Sequence, residues 1–131
     1  MTRRFLFDTH LVLWWVAGDR RLGASTRRLI ETSACAVSVV TLTEIAMKQA
    51  AGKLRLPARA VDELLADAGF AMLTLKVAHL QAATRLLGRH PDPFDCLLVG
   101  TALAEGMHFA TRDQPLLESA APLLGKLLVE A

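Results

Sequence analysis

Short apolar runs alternate with longer stretches of helical period along this chain. Phe5-Leu6-Phe7, Ala36 to Val40 ("AVSVV"), Ala71 to Leu75 ("AMLTL"), His108 to Thr111 ("HFAT") and Lys126 to Glu130 ("KLLVE") are brief, and each predicts a strand. Between them, residues 9–17, 24–33, 42–51, 58–68, 77–87, 93–105 and 115–121 have helix length and predict helices. Gly18, Gly52, Gly69, Gly88 and Gly106 each follow one of these segments, where a helix end favours a left-handed residue. Strands separated regularly by helices imply crossover connections. The expected fold is therefore a three-layer α/β/α sandwich around a mostly parallel sheet. No repeat, low-complexity tract or linker interrupts the pattern, so residues 1–131 are expected to form one domain.

Ligands of such sheets bind outside the carboxyl ends of the strands, which directs attention to the polar residues found there. Asp8 follows the first strand directly, and Glu44 comes four residues after Val40. Asp113 lies two residues beyond Thr111. Asp95, in the first turn of the helix before the fourth strand, joins them if that helix starts on the same side. Each acid also has a local reading. "TLTE" at 41–44 has the form of a capping box with Thr41 as N-cap. "DPFD" at 92–95 puts Asp92 at the N-cap, Pro93 at the first helical position and Asp95 at the third. Asp8 and Asp113 are placed to cap the helices that follow them.

Jointly, four carboxylates in one cleft would repel one another unless a cation neutralised them. Hard oxygen ligands without His or Cys select Mg²⁺ or Mn²⁺. An ion of that kind can activate water and steady the charge on a phosphodiester. One acid would then orient or deprotonate the water while others hold the metal. The chemistry implied is phosphodiester hydrolysis. Residue by residue, the capping reading and the catalytic one both stand.

Composition narrows the class only a little. The chain of 131 residues is 53% hydrophobic and 21% charged, the balance of an ordinary globular domain. A net charge of +2 is compatible with nucleic acid without pointing to it. Cys35 and Cys96 lie in apolar runs outside any CxxC arrangement, which predicts buried free thiols in a reducing compartment. Asp8 and His10 interrupt the apolar run after Arg3-Arg4 too early for a secretory signal. No apolar stretch reaches the ~18 to 20 residues of a membrane span. A cytoplasmic location, with no membrane partner, is expected.

Four segments in order, "FLFDTHLVLWWVAGDRRL", "VSVVTLTEIAMKQAAGKLRLP", "DPFDCLLVGTALAEG" and "FATRD", together resemble the PIN-domain ribonucleases, specifically the VapC-type toxins of bacterial toxin–antitoxin pairs. The likeness covers nearly the whole chain and rests on the set, since any one segment alone is weak. It implies a metal-dependent endoribonuclease acting on RNA with Mg²⁺ or Mn²⁺. It also implies a homodimer, inhibited by a cognate VapB-type antitoxin that inserts a segment near the acidic cleft. The four-acid site of the family maps onto Asp8, Glu44, Asp95 and Asp113, with Asp8 and Asp95 as metal ligands and Asp92 as a structural cap. One departure stands out: members often carry Arg directly after the second aspartate of "DPFD", where this chain has Cys96. That removes a charge pair or phosphate contact, for which Arg112 is a candidate substitute. Thr9 and Thr111 resemble hydroxyls that support the metal or its waters, although Thr also serves local backbone groups.

Other residues carry structural expectations. His10, His79, His90 and His108 are too scattered for a metal set and are expected at the surface or at helix edges. Trp14 and Trp15 fit core and interface better than base stacking. The amphipathic run 54–68 suits a partner-binding face or ordinary packing. Two other functions compete. One is a catalytically inactive PIN-like module that only binds RNA or protein; the presence of all four acids speaks against it, and metal titration separates the two. The other is a phosphotransfer domain. Haloacid-dehalogenase-like phosphatases need an aspartate where His10 stands, and phosphate receivers need an acidic pair after the first strand and an aspartate after the third. Neither pattern is present.

Overall fold

The apolar runs become the strands of a single sheet. In a computed structural model describing residues 3–56 and 58–131, these are β1 (Arg4–Phe7), β2 (Ala34–Ser38), β3 (Ala71–Leu73), β4 (His108–Thr111) and β5 (Leu128–Glu130). Their order is β3-β2-β1-β4-β5, and every neighbouring pair is parallel. Seven α-helices supply the connections among the described residues: α1 (Thr9–Ala17), α2 (Ala24–Thr32), α3 (Val39–Ala50), α4 (Ala58–Asp67), α5 (Val77–Ala83), α6 (Pro93–Glu105) and α7 (Gln114–Leu124). The amphipathic run 54–68 is seen on either side of Pro57, which lies outside the described residues. Val61 and Leu65 of this run are core residues, whereas Leu64 is half exposed. None of the described helices is long and apolar enough to cross a membrane.

Side-chain alternation along the strands creates two cores, one on each face of the sheet. Phe5, Phe7, Cys35, Val37 and Ala110 pack with Leu11, Val12, Ile45, Val61 and Leu65 on one face. Leu6, Ala36 and Phe109 pack with Leu98, Val99, Ala102, Leu116 and Ala120 on the other. Burial of each large side chain contributes ~1.5–3 kcal/mol, so three consecutive buried residues in β1 tie both layers to the central strand. This is the three-layer α/β/α arrangement expected of the sequence, with the sheet wholly rather than mostly parallel.

The second strand departs from expectation. It ends at Ser38, because the Ser38 hydroxyl accepts a hydrogen bond from the Val40 amide at 3.0 Å and starts α3 there. Val39 and Val40, β-branched and read as strand, are instead the first turn of a helix. Thr41 and Glu44 consequently lie inside α3 and form no capping box.

The start of α6 matches its sequence signature. Asp92 Oδ1 accepts from the amides of Phe94 at 2.9 Å and Asp95 at 3.4 Å, with Pro93 in the first turn. Gly106 closes the helix at φ 66°. Replacing Asp92 by Ala should therefore cost ~0.5–2 kcal/mol in a denaturant melt, and Asp92→Ser should recover most of it by restoring a capping oxygen. Equal stability of Asp92→Ala and wild type would show that the cap contributes nothing.

Both cysteines are free and buried. Burial pushes the Cys35 thiol up to about 11, leaving it inert as a nucleophile.

Candidate active site

Strand order reverses at the centre of the sheet. From β1 the chain moves outward through β2 to β3, and later returns to place β4 on the opposite side of β1. A crevice forms where connections diverge in this way. Asp8 follows β1 and Asp113 follows β4, so the two acids flank that point.

Asp8 is buried and is also the N-cap of α1. Its Oδ1 accepts from the Leu11 amide at 2.9 Å, while Oδ2 accepts from the Thr111 hydroxyl. The Thr111 oxygen in turn accepts from the Asp113 amide at 3.1 Å. Thr111 thus couples the two strand ends directly, a role compatible with either expectation for it. Burial raises the Asp8 carboxyl above its ordinary pKa, opposed by the hydrogen bonds from Thr111 and Leu11. Asp8 therefore caps α1 and lines the crevice at the same time.

Asp95 sits in the first turn of α6 and settles the question of side. Its carboxylate lies with that of Asp113 and with His90, one ligand atom from each falling within 4.8 Å of the others. Burial pushes the Asp95 carboxyl up to about 6, aided by the charges of Asp92 and Asp8 and opposed by the His90 hydrogen bond. Asp113 occupies the N-cap position of α7 yet makes no side-chain capping bond. Its exposed carboxylate is free of the local duty that the sequence offered it.

Glu44 is buried on α3, and Thr41, one turn earlier, contacts Thr9 at 3.4 Å between hydroxyl oxygens. That places Glu44 on the same side as Asp8. Its carboxylate is paired with Lys48 at 3.1 Å and lines a neighbouring groove with Asp92, outside the group formed by His90, Asp95 and Asp113. The structure thus brings Asp95 and Asp113 together, links Asp8 to them through Thr111, and leaves Glu44 at the rim.

Three expectations are corrected. His90 and His79 are core-facing rather than surface residues. His79 accepts from the Lys76 amide at 3.1 Å and meets Glu105 at 3.0 Å, far from the acids at the other end of α6. His90 belongs to the site, and sequence reasoning missed it because no periodic or spacing rule links it to Asp95; only the turn preceding Asp92 folds it back. Arg112 is not available to phosphate. Its guanidinium donates to the carbonyls of Ala131 at 3.2 Å, Leu22 at 3.1 Å and Arg21, and it lies over the Trp14 ring at 5.1 Å. Trp14 and Trp15 are partly buried and pack against the first core, as expected.

Asp95 and Asp113, with buried Asp8 tied to them through Thr111 and His90 hydrogen-bonded to Asp95, form an acidic cluster whose oxygens suit a hard divalent cation. A cavity of about 220 Å³ opens beside it, lined by Asp8, His10, Leu11, Trp14, Arg112 and Asp113.

The family model described as PIN domain matches residues 5–121, and the chain belongs to that family, whose members are generally nucleases. Among solved structures, it is similar to VapBC2 from Rickettsia felis bound to a promoter DNA fragment, at 13% identity and a TM-score of 0.71 over 98% of both chains. A DNA-bound VapBC from Salmonella typhimurium is 17% identical, with a TM-score of 0.66 over 98% of both chains. A toxin–antitoxin complex from Klebsiella pneumoniae is 16% identical, with a TM-score of 0.64 over 95% of this chain and 94% of that one. At such identities the likeness is one of fold. No curated protein matches the chain significantly.

Proposed function

We propose that the protein is a divalent-metal-dependent endoribonuclease, the toxin of a VapBC-type toxin–antitoxin pair working in the cytoplasm. The observation carrying this reading is the convergence of Asp95 and Asp113 with buried Asp8 where strand order reverses. Asp8 and Asp95 would hold the ion, with Mg²⁺ and Mn²⁺ the fitting candidates. When bound, such an ion would polarise the phosphodiester and ease deprotonation of a nearby water. Asp113, exposed and without a capping bond, would accept that water's proton. Thr111 fixes the orientation of the Asp8 carboxylate toward the crevice, and Glu44 adds negative charge at the rim, moderated by Lys48.

The proposed partner is a VapB-type antitoxin. An apolar groove of about 570 Å³ beside the acids supports this reading, since Met47, Ala51, Pro91, Pro93 and Phe94 line it and Lys48 and Lys53 border it. An inserted segment of an antitoxin would find apolar contact there, edged by Lys48 and Lys53 and by the acids Glu44 and Asp92. The proposed assembly is a homodimer.

Metal binding is open to a test independent of cleavage. Adding Mn²⁺ should raise the melting temperature of wild type, because the ion relieves repulsion among the acids and binds only the folded state. At 100 times the dissociation constant the gain is ~2.7 kcal/mol. Asp8→Asn should show a much smaller shift. Equal shifts would place the ion elsewhere, and an RNA-cleaving preparation insensitive to chelation would overturn metal dependence altogether.

A further inference from the structure

His90 is the one residue of the acid cluster that sequence reasoning excluded, and its contacts are unusually complete. The side chain is 3% exposed. Its Nε2 lies 2.9 Å from Asp95 Oδ2, and its Nδ1 lies 3.3 Å from Ser119 Oγ on α7. The Ser119 hydroxyl also meets the Pro115 carbonyl at 2.8 Å, which fixes its oxygen beside the ring. Nδ1 is thereby held at Ser119, while Nε2 faces Asp95 Oδ2 within hydrogen-bond reach and can donate to it. The backbone of His90 is held as well, its carbonyl meeting the buried Cys96 thiol at 3.7 Å.

We infer that His90 is a positioning residue: anchored on Ser119, it holds the Asp95 carboxylate in the orientation in which it would bind a metal ion in the crevice. The imidazole supplies a hydrogen-bonding partner to this aspartate from five residues upstream in the sequence. Cys96, the residue directly after Asp95, cannot do so because its side chain points into the core. His90 is not itself a ligand, since both of its nitrogens are committed to protein partners. The inference rests on the metal-dependent reading of the site, and it assigns a role within that site to one side chain.

Three variants and two measurements test it. Calorimetric titration of the metal-free protein with Mn²⁺ gives affinity without any reference to cleavage, and RNA cleavage kinetics separate kcat from KM. His90→Leu removes the hydrogen bond and should weaken Mn²⁺ binding and lower kcat by ~10- to 100-fold, with KM for RNA little changed. His90→Gln can still donate to Oδ2 and should recover most of both. Ser119→Ala, which only loosens the anchor, should shift both in the same direction as His90→Leu but less. If His90 were instead a ligand, His90→Gln would fall as far as His90→Leu, and both would lose Mn²⁺ more than Mg²⁺; that result overturns the inference. So does an unchanged affinity in a folded His90→Leu. Should His90→Leu fail to fold, the comparison of His90→Gln and Ser119→Ala with wild type still decides, because unaltered affinity in Ser119→Ala with loss in His90→Gln contradicts an anchored donor. Absence of RNA cleavage by wild type would sink the nuclease reading while leaving the calorimetric comparison intact.

Discussion

Asp95→Asn is expected to lower RNA cleavage by at least ~10²-fold without lowering stability. The two halves of this expectation have one cause. The folded protein raises the Asp95 carboxyl from 3.8 to about 6, chiefly by burial, so its ionised form is disfavoured in the metal-free fold. A carboxyl raised in this way contributes its full stability below 3.8 and loses it as pH climbs through about 6. At pH 7 that contribution has gone. An amide of the same shape restores a neutral group and still offers an oxygen to His90, so the metal-free variant should melt no lower than wild type at neutral pH. The charge that would hold a metal is lost all the same. Asp8→Asn should lose cleavage likewise, but with some loss of stability, because its amide nitrogen cannot accept as the carboxylate does from both Leu11 and Thr111. Cleavage rates paired with thermal melts check both variants, and wild-type rates in either would dismantle the site assignment.

Gly100→Ala should do the reverse, damaging the fold while leaving every proposed site residue in place. Glycine inside a helix ordinarily costs ~1 kcal/mol relative to alanine, so propensity alone predicts stabilisation. Packing decides otherwise. A Cβ at position 100 would stand 2.6 Å from the Ala83 amide nitrogen, 2.6 Å from the His79 carbonyl oxygen and 2.8 Å from the Ala83 Cα. These are backbone atoms of α5, which cannot rotate away as a side-chain tip can. Helices α5 and α6 approach one another here with only a hydrogen between them. Overpacking of this kind costs ~1–3 kcal/mol net, which for a domain of this size lowers the melting temperature by roughly 5–15 °C. A melting temperature equal to or above that of wild type would mean that α5 yields easily and the contact carries no constraint.

Much of this was readable from the chain because two periodicities survive folding. Phe5-Leu6-Phe7 and "HFAT" alternate between two cores, and that alternation located the sheet edge from which Asp8 and Asp113 project. Asp92 and Pro93 announced the start of α6, which in turn placed Asp95. The failures arose where one local rule overrode another. Val39 and Val40 favour strand, yet a single oxygen on Ser38 starts a helix beneath them, and the apparent capping box at Thr41 and Glu44 dissolves with that shift. Arg112 stood between two site residues in sequence, but alternation along the strand end aims it away, toward the carbonyls of the turn after α1. His90 was illegible for a different reason. Its partners Asp95 and Ser119 lie on two separate helices, and only tertiary packing brings them to opposite edges of one ring.

The hydroxyl of Thr111 that reaches Asp8 joins residues 103 positions apart. This separation has a bearing on synthesis. A nascent chain complete only to Glu105 already contains Asp8, Glu44 and Asp95, but has neither Thr111 to orient Asp8 nor Asp113 to complete the cluster. Strand β1 must also wait for β4 as its second neighbour, a long-range closure that forms late relative to local helices. On the proposed nuclease reading, a chain that ends before Thr111 and Asp113 lacks a complete site and is expected not to cleave RNA.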